Sequence, residues 1–160
     1  MSVIRLVALL VVALVLPANA KTTFRLEVGP PIAAGTGTNI KKLKSTVVLV
    51  VRPRACEDAA HVQMTGTAEG SIDGMRRSIA LDLIPVNPAE GVYAVQQQWP
   101  ENGQWLLQLN GSCPSPKAAV STLVPMNKST FVRDKTQMLG EPAKSQQIDK
   151  ALAALVRAQS

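Results

Sequence analysis

His61 is the only imidazole in the chain, so any serine or cysteine nucleophile would have to use it as its base. It follows Glu57 and Asp58, the only adjacent acidic pair, which lie close enough in sequence to orient a ring or carry a proton. Met64 comes three residues later, and an imidazole with a thioether is a donor pair suited to copper. In a strand, however, residues three apart point to opposite faces. Alternation over His61–Glu69 sets Met64 with the buried residues and His61 with the exposed ones. Met75, Met126 and Met138 fall on unrelated segments. The chain has no nucleophile elbow, phosphate-binding loop, HExxH or dinucleotide fingerprint. The expectation is therefore no catalytic residue and no cofactor, with His61 and Met64 as the only candidate metal ligands.

Cys56 and Cys113 are the two cysteines. Their spacing does not suit a CxxC redox or zinc site. In an oxidising compartment an even pair points to one disulfide. The bridge would close a loop of roughly 60 residues, which chain entropy values at ~4 kcal/mol. Both cysteines fall just beyond predicted strand ends, which favours the pair over two independent thiols.

The amino-terminal end supports that compartment. Arg5 precedes the unbroken apolar run Leu6–Leu16, Pro17 breaks it, and Ala18-Asn19-Ala20 is a small-x-small cleavage site. A run of about 11 apolar residues is short of the roughly 20 that span a bilayer. Residues 1–20 therefore read as an export signal, leading to the periplasm or the exterior. Nothing later is long and apolar enough to span, so no membrane span is expected after cleavage.

Seventeen basic residues against eleven acidic ones give +6, and loss of Arg5 makes it +5. The charges are scattered and few aromatics interleave with them, which argues against a nucleic-acid partner. Lys41, Lys42 and Lys44 form a small basic cluster on a predicted loop. Arg76-Arg77 reads as a device that keeps an edge strand soluble. Asn110-Gly-Ser112 and Asn127-Lys-Ser129 match the N-glycosylation pattern.

Short alternating segments dominate the mature chain. Phe24, Leu26 and Val28 alternate with Thr23, Arg25 and Glu27. Thr46–Arg54 is apolar at successive positions, as in a strand covered on both faces. Asp73-Gly74 is a hairpin turn, after which Arg77–Ile84 resumes with Ile79, Leu81 and Leu83 on one face. Pro85–Glu90 reads as a loop. Gly91–Gly111 reads as one hairpin with a Pro100–Gly103 turn, a Trp on either side, and Trp105, Leu107 and Leu109 facing in. Core burial of Trp99 and Trp105 is favoured over stacking on a sugar or peptide. Lys117–Val124 serves as the last strand. About seven strands with no interleaved helix imply an all-β, antiparallel immunoglobulin-like β-sandwich over residues 21–125. A small barrel is the alternative.

Residues 126–160 read as a polar linker and an amphipathic helix. Over Ala143–Ala158, Ile148, Ala151, Leu152, Leu155 and Val156 form one stripe, and Pro142 suits a helix start. The stripe can dock on the sandwich. Otherwise Ile148, Leu152, Leu155 and Val156 form a surface for a protein partner.

From Thr46 to Val124 the order of features resembles the YtkA-like and FixH group of bacterial exported immunoglobulin-like domains. The residues that carry the resemblance are Gly91-Val92-Tyr93, Pro100, Gly103, Trp105, Leu107 and Leu109. It implies a small periplasmic or membrane-tethered sandwich, some relatives of which are linked to metal transport or respiratory-complex assembly. The Cys56 and Cys113 pair and the tail helix are additions to that pattern. The functional expectation is a non-catalytic exported binding or accessory module with an unknown protein partner and no evident small-molecule substrate. The alternative is a periplasmic copper- or other metal-handling domain.

Overall fold

A computed structural model describes residues 23–31 and 47–158 of the chain. The expected export signal and the Lys41, Lys42, Lys44 cluster lie outside the described residues. The fold is an antiparallel immunoglobulin-like β-sandwich with one C-terminal helix. Ten strands form it: β1 (Arg25–Gly29), β2 (Val47–Arg54), β3 (Gln63–Ile72), β4 (Met75–Leu81), β5 (Leu83–Asn87), β6 (Val92–Gln96), β7 (Gln104–Cys113), β8 (Ala118–Asn127), β9 (Thr130–Phe131) and β10 (Gln137–Leu139). Helix α1 (Ser145–Arg157) follows. The first sheet runs β1-β2-β6-β5 and the second β10-β8-β7-β3-β4, with β9 also on β8.

Alternating side chains from both sheets meet in one core. Phe24, Leu26, Leu49, Val51, Val95, Trp105, Leu107, Leu109 and Val124 are all buried in it. Trp105 lies flat on Gly70 of the neighbouring strand, its opposite number in the β3–β7 register. A Cβ at Gly70 would collide with the indole ring, so the close approach requires glycine. Trp105 Nε1 donates to the Asn102 carbonyl at 2.9 Å, which satisfies the buried N–H. Between the sheets, Thr122 Oγ1 donates 3.0 Å to the Leu26 carbonyl.

Four expectations need correction. The segment Gly91–Gly111 is not a hairpin, because β6 pairs with β2 and β5 in the first sheet while β7 lies in the second. Pro100–Gly103 therefore carries the chain from one sheet to the other. Similarly, the single predicted strand Arg77–Ile84 is two strands in different sheets, joined through Asp82. Pro85 belongs to β5 and not to a loop. Finally, residues 125–142 are not irregular: they finish β8 and supply β9 and β10.

The outer face of the second sheet is covered by α1. Ile148, Ala151 and Leu152 pack onto Leu106 of β7 and Leu123 of β8, with Leu139, Ala143 and Leu155 at the margin. The helix begins with a side-chain cap, since Gln147 Oε1 accepts the Lys144 N–H at 2.8 Å. Polar ties hold its N-terminal half. Ser121 Oγ accepts the Ala143 N–H at 2.8 Å and donates to Asn110 Oδ1 at 2.6 Å. Arg76 joins the buried Glu69 carboxylate, 3.1 Å from Nη2, to Asp149 of α1.

Replacement of Gly70 by Ala forces the Trp105 ring out of its place. The expected cost is ~1–3 kcal/mol, read as a lower denaturation midpoint together with a change in Trp fluorescence.

Candidate functional site: the edges of the two sheets

The residues singled out for chemistry do not converge. His61 ends a single helical turn, Ala59–His61, before β3. Its side chain is 78% exposed and its Nδ1 lies 2.7 Å from Asp58 Oδ1. Met64 is packed against the core. Glu57 turns towards the hairpin opposite, where its Oε2 accepts from Ser115 Oγ at 3.3 Å. Among the described residues no three of His, Cys, Asp and Glu stand close enough together to hold a metal ion. The Cys56–Cys113 disulfide is formed, with Cα atoms 5.9 Å apart. It ties the end of β2 in the first sheet to the end of β7 in the second.

Trp99 and Trp105 are both buried and offer no stacking platform. Asn110 sits inside β7, with its Oδ1 accepting from Gln108 as well as Ser121; Asn127 is exposed at the end of β8. Of the residues read as a partner surface, Ile148 and Leu152 are buried against the sheet. Leu155 is partly buried there, and Val156 remains 39% exposed. The stripe is thus largely engaged within the chain, in the docked arrangement that the sequence allowed, with Ile148 and Leu152 as contacts to the sheet. A shallow groove of about 350 Å³ runs beside the helix, lined by Pro125, Lys135, Gln137, Ala154 and Leu155 among others.

What the fold leaves available is backbone. Each sheet ends in two edge strands, and an edge presents a row of N–H and C=O groups that can pair with another chain. Three of the four edges are blunted. β10 is three residues long. β5 contains Pro85, and its register with β6 shifts between Pro85 and Asn87. On β1, the Leu26 carbonyl is taken by Thr122, while Glu27 is held by Arg54 at 2.7 Å and Arg25 at 3.1 Å.

β4 differs from the other three. It pairs with β3 over seven consecutive positions without a bulge, carries no proline, and has no strand on its other side among the described residues. The two-residue turn Asp73-Gly74, with φ of 50° and 75°, makes Ile72 and Met75 the closing hydrogen-bonded pair. Met75, Arg77, Ile79 and Leu81 then direct their backbone groups at β3. Arg76, Ser78 and Ala80 direct theirs outward. The series stops at Asp82, whose N–H donates to Gln98 Oε1 at 2.9 Å and whose carbonyl accepts from Gln98 Nε2 at 3.1 Å. The Gln98 amide stands where the backbone of a next strand would be.

The Arg76-Arg77 pair marked this strand in the sequence, but its two members do different things. Arg76 turns to Glu69 and Asp149, so Arg77 alone keeps the expected role at the edge. Comparison with family models, with curated proteins and with solved structures returned no match.

Two outcomes follow from this geometry. The Arg54 guanidinium holds the Glu27 carboxyl below the usual carboxylate range, against partial burial that raises it, and Arg25 adds to the lowering. A lowered folded-state pKa stabilises above the unfolded value and is lost as pH falls through the folded one. Glu27→Gln should therefore reduce Tm modestly at neutral pH, with the difference from wild type closing as pH falls below the usual carboxylate range. In a copper titration of residues 21–160, His61→Ala should leave the micromolar isotherm unchanged; loss of a stoichiometric site in that variant would restore the metal reading.

Proposed function

We propose that this chain is a non-catalytic exported binding or accessory module that works through protein–protein contacts. The observation that carries this reading is the edge of β4, unbulged and free of proline over seven positions and without a neighbouring strand among the described residues, in a molecule whose other three edges are shortened, interrupted or tied down. Strand addition needs no reactive group: main-chain bonds supply affinity and alternate side chains supply selectivity. Export is supported by the signal-like pattern of residues 1–20 and by the Cys56–Cys113 bridge, since disulfides persist in oxidising compartments. The resemblance to exported immunoglobulin-like accessory domains points the same way.

The metal-handling alternative would require Met64 to leave the core and join an exposed His61 and its neighbour Asp58, and no group of three His, Cys, Asp or Glu residues stands together among the described residues.

The test uses the mature chain, residues 21–160, as immobilised bait for extracts of the exported fraction, alongside Ala80→Pro. Proline at position 80 removes an outward N–H but no bond to β3, so the fold is retained at an edge position. Proteins bound by wild type should be lost with Ala80→Pro, while circular dichroism and Tm stay close to wild type. Equal recovery by the two baits would refute the edge as the contact.

A further inference from the structure

The chemistry along β4 narrows what can occupy it. Resting on the contact-edge reading above, we infer that β4 receives an extended segment of another protein whose inward-facing side chains run apolar, acidic, apolar at alternate positions.

On the face of β4 turned towards the sandwich interior, Met75, Arg77 and Ile79 follow one another. Met75 is 55% exposed, Arg77 is exposed, and Ile79 is partly buried against the core. An added strand places its side chains directly opposite these, with Cβ atoms about 5 Å away. The position facing Arg77 favours a carboxylate, and those facing Met75 and Ile79 favour apolar groups. The other face makes no such demand. Arg76 is already engaged by Glu69 and Asp149, and Ser78 Oγ donates to Glu69 Oε1 at 2.7 Å. Small polar residues suffice there.

Two nearer occupants fail on charge. A second copy of β4, paired antiparallel and kept clear of the Gln98 amide at Asp82, sets Arg77 opposite or diagonal to its own counterpart, and like charges so placed are destabilising. The chain's own undescribed stretches, residues 1–22, 32–46 and 159–160, contain no Asp or Glu. They cannot supply the carboxylate.

The probe is the peptide acetyl-Thr-Val-Thr-Glu-Thr-Val-Thr-amide, whose pattern reads the same in either strand direction. It is titrated into the isotope-labelled mature chain and followed by amide shifts and hydrogen exchange. Shifts and new protection should fall on the outward amides of Arg76, Ser78 and Ala80. The same peptide with Lys for Glu should bind about tenfold more weakly, and Arg77→Glu should invert that preference. Ala80→Pro should abolish binding of both peptides while Tm is retained.

No β4 shift at millimolar peptide, or equal binding of the Glu and Lys peptides, would overturn the inference. A wild-type dimer in sedimentation that dissociates in Ala80→Pro would also overturn it, in favour of a second copy. If extract proteins are still lost with Ala80→Pro while the peptides show no charge preference, the acidic segment is refuted and the contact edge stands. If neither responds to Ala80→Pro, both readings fall.

Discussion

Leu106 and Leu123 point away from the main core, and keeping them from water is the constraint on which the rest of the molecule depends. Each is fully buried, and burial of a leucine side chain is worth ~1.5–3 kcal/mol. A sandwich alone would leave them wet. α1 lies over them, which explains the helix stripe, its cap at Gln147 and the polar tie from Ser121 to the Ala143 backbone. The same requirement recruits Arg76 to Asp149. One arginine of an adjacent pair thereby fastens the helix, and the other is left at the edge of the sheet.

Much of the layering was legible in the sequence. Period-2 alternation put Leu26, Leu107 and Leu109 on inward faces, and the structure buries all three. The continuous apolar run in β2 matched a strand buried at Val48–Val51. Cysteine arithmetic, with two cysteines and no metal-site spacing, pointed to the bridge that the structure forms. Alternation cannot say which sheet a strand joins, however, and there the reading failed. Pro100–Gly103 has the residues of a hairpin turn, yet it spans the sandwich. Ile79, Leu81 and Leu83 keep their phase across Asp82, so a change of sheet leaves no mark in the pattern. Long-range pairing decides such points, and local periodicity does not contain it.

The candidate site was less legible. An edge is a property of topology, so the openness of β4 could be seen only after β5 had been placed in the other sheet. Arg76-Arg77 gave a local sign of an edge but no means of dividing the roles of its members. The Gln98 amide, which ends the edge at Asp82, comes from the link between β6 and β7 and had no sequence signal at all. Conversely, His61 and Met64 stood out by type, and the fold places one on an exposed turn and the other against the core.

The Cys56–Cys113 bridge has a mechanical consequence. It joins the two plates of the sandwich at one pole, next to the end of β7, while the Asp73-Gly74 tip lies at the other, where Ser71 faces Gln104 at the start of the same strand. Pro100–Gly103 crosses between the plates at that second pole, so scissoring is restrained by sulfur at one end and by main chain at the other. The first residues of β4 therefore project from a frame clamped at both poles.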